Sequence, residues 1–210
     1  MDKKMRSNAY SLLSELIKPP TKRFFQDLTH GALEVEMEIL SKGIGYTFEK
    51  NSLSEQQFLN FDDYHAQYTK VFNNVASEQI SCAPIESLYK PWTQDPTAGV
   101  SWAKEKGFLY GDPALHIESI YNALKLTIPT GYEKKPDHLG LMLELAAILV
   151  DVTDEEYQLQ FMKDHFDWLE EYIKVLESKS KHTFFINCIE IIQKFITWDM
   201  NRMERNLKVS

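Results

Sequence analysis

The sequence predicts an all-α fold, and three observations carry that expectation. Unbranched helix formers are abundant, whereas Gly and Pro number only 8 each in 210 residues. No alternation of apolar and polar residues is sustained long enough to make a half-buried strand. Helix-capping signals recur ahead of segments with helical periodicity. With 43% hydrophobic and 26% charged residues the composition is that of an ordinary globular protein, long enough to bury a substantial core.

Taken in order, Ser7 to Lys18 reads as a short helix with Leu12, Leu13, Leu16 and Ile17 on one face, ended by Pro19-Pro20. Thr21 caps a second helix running to about Lys42, with Phe24, Leu28, Val35 and Ile39 in its apolar set and Gly43 and Gly45 as its stop. Ser52-Leu53-Ser54-Glu55 has capping-box spacing and opens a third helix to about Asn73, which carries an aromatic stripe through Phe58, Phe61, Tyr64, Tyr68 and Phe72. Residues 74–97 break the pattern with Pro84, Pro91 and Pro96 among Ile85, Tyr89 and Trp92. Such a segment reads as a binding loop or as a connector whose aromatics cover the core. Asp95-Pro96 and Asp112-Pro113 each signal a helix start, the first helix running through Lys106 and the second from Ala114 to about Leu126.

Thr127 to Lys135, with Pro129 and Gly131, reads as a hinge between an N-terminal helical part (1–126) and a smaller C-terminal one (136–210). The latter opens on a helix from Leu139 to Val150 that is apolar almost all round, and so is expected at the centre of the core. Thr153-Asp154-Glu155-Glu156 is another capping-box spacing, and the segment to Ser178 offers Phe161, Phe166, Trp168, Leu169, Ile173 and Leu176 to the interior. A last amphipathic helix spans about Phe184 to Leu207. The pattern amounts to a compact bundle of roughly eight to ten helices.

The formal net charge of -8 argues against non-specific nucleic-acid binding, which needs basic surface. No span is long enough to insert stably in a membrane, and no apolar run follows the basic start Met1-Asp2-Lys3-Lys4. Cys82 and Cys188 have no metal-type spacing and read as free thiols. A cytoplasmic protein is expected.

Catalytic templates are absent: there is no Gly-rich phosphate loop, no GxSxG, no HExxH and no pair of ExxH motifs. What remains is a polar line at the central helix, Asp137, Gly140 and Glu144, with His138 at its mouth. Asp137 has a bland reading as the helix N-cap, accepting from the amides of Leu139 and Gly140. Glu144 lies among Leu, Met, Ala and Ile and needs a donor, either from the protein or from a ligand in a groove. A small helical enzyme or metal protein using His138 and Glu144 is the alternative from another class.

Three stretches together resemble the TorD-like family of redox-enzyme maturation chaperones, which includes the DmsD and NarJ relatives. They are Tyr68 to Phe72 with the loop Cys82-Ala83-Pro84-Ile85-Glu86-Ser87-Leu88-Tyr89; Pro136-Asp137-His138-Leu139-Gly140 running to Glu144; and the Phe161, His165, Trp168 spacing, with the Leu109-Tyr110-Gly111-Asp112 turn alongside. Met142 stands where members often carry a first acidic residue of the signature helix. The resemblance implies a non-catalytic protein that binds the twin-arginine signal peptide, or another part, of a molybdenum-cofactor oxidoreductase subunit until the cofactor is inserted. No cofactor of its own is implied beyond the weak guanine-nucleotide binding linked to some members. Monomer is the expected state, with exchange of helical parts about the 127–135 hinge as the route to a dimer. A twin-arginine leader presents guanidinium groups beside an apolar segment, so its complement is carboxylates beside an apolar groove. Glu86, Asp137 and Glu144 are the expected carboxylates and Leu88, Tyr89 and Trp92 the expected apolar contacts, with Ser87 and His138 between them. The binding loop is 82–97, and its part 82–92 is expected to pack beside the start of the central helix, so that both halves of the groove meet at His138.

Overall fold

The computed structural model describes residues 2–49, 53, 58–72, 82–180 and 182–209. Among them are nine α-helices: α1 (Lys3–Glu15), α2 (Lys22–Thr29), α3 (Ala32–Ile44), α4 (Phe61–Phe72), α5 (Asp112–Ala123), α6 (Leu139–Val152), α7 (Glu155–His165), α8 (Leu169–Lys179) and α9 (Thr183–Val209). One 3-10 turn, Glu86–Leu88, lies between α4 and α5, and an isolated β-bridge joins Ile85 to His138. The all-α expectation is borne out.

The apolar helix sits where its composition requires. Leu139, Gly140, Leu141, Met142, Leu143, Leu145, Ala146, Ala147, Leu149 and Val150 of α6 are all buried, and α6 packs chiefly against α1. Helix α1 starts four residues earlier than its apolar pattern, because Asp2 Oδ1 accepts from the amides of Lys4 (2.9 Å) and Met5 (3.3 Å). On the far side α7 and α8 pack on α9, whose Ile189, Ile192, Phe195 and Ile196 face inward. The aromatic stripe of α4 joins them, Tyr64 stacking on Phe185 at 6.0 Å. The Tyr68 hydroxyl donates to the Ile17 carbonyl just beyond α1 (2.8 Å).

Three element expectations are corrected. The helix expected from Thr21 to Lys42 is two helices, because Gly31 adopts a left-handed φ of 75°. The break rotates the inward face: Leu33, Met37, Leu40 and Ile44 are buried, whereas Val35 and Ile39 are exposed. Gly43 does not stop the helix. A Cβ there would lie 2.8 Å from Met5 Cγ, so Gly43 is where α3 crosses α1, and Gly45 supplies the left-handed cap.

The Asp95-Pro96 signal makes a turn, not a helix. Asp95 Oδ1 accepts from the Thr97 amide and hydroxyl, both at 2.7 Å, while the amides of Trp92 and Thr93 bond the carbonyls of Glu105 and Ala103. Long-range pairing outweighed a local cap in a segment with few apolar residues. Asp137 does not cap α6; His138 does. The Ser52 capping box and the end of the third expected helix at Asn73 lie outside the described residues.

Candidate functional site: a loop tied to the head of the central helix

Two chain segments meet before α6 begins. The Glu86 amide donates to the Asp137 carbonyl (3.1 Å) and the Leu139 amide to the Pro84 carbonyl (2.8 Å), so loop and helix entry run as a short antiparallel pair. Proline 84 lacks an amide but keeps the carbonyl this contact uses. The Asp137 carboxylate turns back across the pair. Its Oδ2 accepts from the Ser87 amide (2.7 Å) and the Ser87 hydroxyl (2.5 Å). Ser87 Oγ in turn accepts from the Gly111 amide (3.4 Å). Gly111 is obligatory there, since a Cβ would stand 2.4 Å from the Trp92 carbonyl oxygen.

Glu86 points the other way and is equally enclosed. Its Oε2 lies 2.8 Å from His165 Nδ1, and the Lys90 ammonium lies 2.8 Å from Oε1. His165 Nε2 lies 2.8 Å from Nδ1 of the exposed His116. A neutral His165 protonated on Nδ1 satisfies both contacts, donating to Glu86 and accepting from His116. Burial, and then the neighbouring His165, lower the His116 pKa. The Trp168 indole donates to the His165 carbonyl (2.8 Å), and Trp168 stacks on Tyr89 at 5.1 Å. Residues from all three stretches of the sequence signature, and from the 109–112 turn, thus lock into one unit.

His138 is nearly sealed. Its Nδ1 accepts from the Gly140 amide (3.2 Å), and Tyr132 of the 127–135 segment packs edge-on against its ring at 5.1 Å. Burial, with Lys135 and Lys18 nearby, pushes its pKa down to about 3, which keeps the acceptor nitrogen free of a proton. Asp137 is fully enclosed, and burial raises its pKa despite the Ser87 donors. Its second oxygen, Oδ1, has no hydrogen-bond partner among the described residues.

Further along α6, Glu144 emerges half-exposed into a groove of about 350 Å³ with Asp151 and the apolar walls Tyr121, Leu126, Pro129 and Ile148. The Lys18 ammonium is paired with Glu144 and, at 3.0 Å, with Glu15. Gly140 makes this possible: a Cβ there would sit 3.2 Å from Lys18 Cγ, so the bare backbone lets the lysine stem lie across α6.

Of the residues singled out in the sequence, Glu86, Ser87, Asp137, His138 and Tyr89 are buried and Leu88, Trp92 and Glu144 are partly exposed. The loop does pack beside the start of the helix. Its carboxylates do not face solvent with Glu144, because each is engaged inside. No group of three or more His, Cys, Asp or Glu among the described residues is arranged to hold a metal. No helix among them is long and apolar enough to cross a membrane.

Sequence reasoning missed four features. Lys90 is one helical turn beyond Glu86, a legible ion-pair spacing. Lys18 and His116 had no such signal. The fourth is a surface of Trp92, Trp102, Phe108, Leu109, Tyr110 and Leu115, in which Trp102 lies 4.8 Å from Trp92 and 5.0 Å from Phe108. Tyr110 is held at a left-handed φ of 62°, a strain of about 1 kcal/mol for a residue with a Cβ. Its hydroxyl bonds Glu118 at 2.6 Å. Backbone strain of this kind collects where a surface is being shaped for use.

An all-helical bundle with a buried loop-to-helix lock defines a class of scaffold without an evident catalytic centre among its described residues. Comparison with known proteins identifies which class. Residues 40–179 match the model of the nitrate reductase delta subunit family, and the chain belongs to that family. It is similar to the chaperone protein TorD of Shewanella piezotolerans (strain WP3 / JCM 13877), with 22% identity over 202 residues, 93% of this chain and 90% of the relative. The fold is similar to the crystal structure of a candidate redox enzyme maturation protein from Archaeoglobus fulgidus, with a TM-score of 0.54 at 20% identity over 91% of this chain and 93% of that one. The family resemblance drawn from the three stretches is borne out.

Proposed function

We propose that this protein is a redox-enzyme maturation chaperone that binds the twin-arginine signal peptide of a molybdenum-cofactor oxidoreductase subunit. It holds the subunit, without turnover, until cofactor insertion. The observation that carries this reading is Glu144. Of the three carboxylates expected to meet the leader it alone is half-exposed, it lines a groove with apolar walls, and it already holds a cation. That is the chemistry a guanidinium beside an apolar segment requires.

In this reading Asp137, Ser87 and Glu86 are positioning residues. They fix the loop whose outer edge carries Leu88 and Trp92, and with it the aromatic surface from Trp102 to Tyr110. Glu144 takes the leader's charge, and the aromatic surface takes apolar parts of the client. The reading is tested by calorimetric titration with a synthetic peptide bearing an Arg-Arg pair followed by a run of Leu and Ala. Glu144→Gln is expected to weaken binding about 10-fold or more, as loss of a charge-assisted bond does, and Trp92→Ala to weaken it with helical content unchanged. Wild-type affinity in both variants refutes the site. No binding of such a peptide to the wild-type protein refutes the function.

A further inference from the structure

We propose that Lys18 is an intramolecular competitor for the leader's guanidinium: its ammonium occupies Glu144 and Glu15, and the peptide binds by displacing it. The inference rests on the reading of Glu144 given above and adds its regulation.

Geometry supports it from three sides. The Lys18 ammonium bridges two carboxylates from different helices, Glu15 at the end of α1 and Glu144 in the middle of α6. Their side chains keep 45% and 36% of their exposure, so a second cation can reach them from solvent. The stem that delivers the ammonium crosses the helix over Gly140, where a Cβ would stand 3.2 Å from Lys18 Cγ. Lys18 itself stands just before Pro19-Pro20, outside any helix, and its side chain is 23% exposed. Its backbone is held by the bond from its amide to the Ser14 carbonyl (3.1 Å), so displacement needs only the side chain to swing away from Gly140.

The exchange is chemically favourable and nearly isoelectric. A lysine offers one compact point charge on a flexible stem, whereas an arginine offers a planar fork that engages a carboxylate through two parallel bonds. Displacement replaces the Lys18 pairs with Glu144 and Glu15 by a better-shaped pair at Glu144 and frees Lys18 to solvent. While the groove is unoccupied, Glu144 keeps an internal cation, and a segment without a positive charge has nothing to exchange for it. Lys18 thus acts as a threshold that favours arginine over weaker cations.

The sign of the expected effect is opposite to that of an ordinary site variant. Lys18→Met keeps an apolar stem over Gly140 and removes the charge. It is expected to bind the Arg-Arg peptide about 2- to 5-fold more tightly than wild type, the range set by a partly exposed ion pair. Binding by Lys18→Met should also weaken more steeply with added salt, because an ion pair is formed there and only exchanged in the wild type. A control peptide with Gln-Gln in place of Arg-Arg should gain nothing from the substitution. Lys18→Gln, which keeps a hydrogen-bond donor without the charge, gives a second measure should the methionine variant fold poorly. Equal or weaker Arg-Arg peptide binding by the Lys18 variants, with the wild type still binding, overturns the competitor while leaving the chaperone reading intact. Absence of binding in wild type and variants alike overturns both.

Discussion

Two buried polar clusters among the described residues are built differently. At one end, Arg6 of α1 meets Asp199 of α9 at 2.7 Å, Tyr10 donates to the same oxygen at 2.6 Å, and Arg202 donates to the other oxygen at 2.9 Å. Arg6 also bonds Gln158, and Arg202 bonds Glu155. Both oxygens of Asp199 have partners and every carboxylate in the cluster faces a guanidinium, so the atom left without a partner there, Arg202 Nη2, is a donor on a guanidinium already bound at two other nitrogens. In the loop-to-helix lock, Glu86 pairs with Lys90, an ammonium that Asp167 also engages, whereas Asp137 has no cation paired with it and its Oδ1 is left without a partner among the described residues. The contrast separates a cluster that joins helices from one that tolerates cost to fix a loop. Paired burial stabilises an assembly only when both partners stay, whereas an unmatched acceptor persists only where the surroundings enforce it.

The comparison can be broken from either side, beginning with the largest effect. Arg6→Met leaves Asp199 fully buried with one guanidinium fewer, and should cost about 3–5 kcal/mol in denaturant unfolding. Peptide affinity, measured well below the transition, should stay at the wild-type value. Asp137→Ala strands two buried donors of Ser87 and removes an enclosed carboxylate, so its stability loss should be smaller, about 1–3 kcal/mol. Its effect on peptide binding should nonetheless be the greater of the two. If Arg6→Met impairs binding more than Asp137→Ala at equal folded fraction, the division between the clusters is wrong.

The third prediction concerns acid. His138 titrates near 6.5 when unfolded and at about 3 in the folded protein, because burial disfavours its charged form. The unfolded chain therefore takes up a proton first, and stability falls as pH drops from about 6.5 towards 3. At pH 5 the loss from this one group is about 2 kcal/mol. Asp137, with its pKa raised by burial, works in the opposite sense, gaining its proton earlier in the folded state. His138→Asn keeps a capping side chain without the titration, so the difference between the two melting-temperature profiles isolates the histidine. Parallel profiles from pH 7 to 5 would show that His138 is not sealed in solution.

Much of this architecture was legible in the chain. The apolar run 139–150 announced a buried helix, and the order of the three family stretches announced which segments would meet. What periodicity did not convey was orientation. Asp137 looks like a cap because it precedes an apolar helix, yet the antiparallel contact with Pro84 and Glu86 aims its carboxylate at Ser87 and hands the cap to His138. Glu144 was recognisable as a carboxylate in need of a partner, but Lys18 lies 126 residues away and nothing local marks it. The Asp95-Pro96 turn failed as a helix for the same reason: its bonds run to residues that a local pattern does not see.

The Arg6–Asp199 pair spans 193 residues of sequence, and this sets an order of events during synthesis. At about 5–20 residues per second, Arg6 emerges roughly 10–40 s before its partner is made. Through that interval the apolar face of α1 has α6 to dock on only after residue 152 has emerged, and its guanidinium has no acid from α9 at all. The protein is thus itself an aggregation-exposed nascent chain until α9 closes on it, so slowed or interrupted translation before α9 should lower its soluble yield.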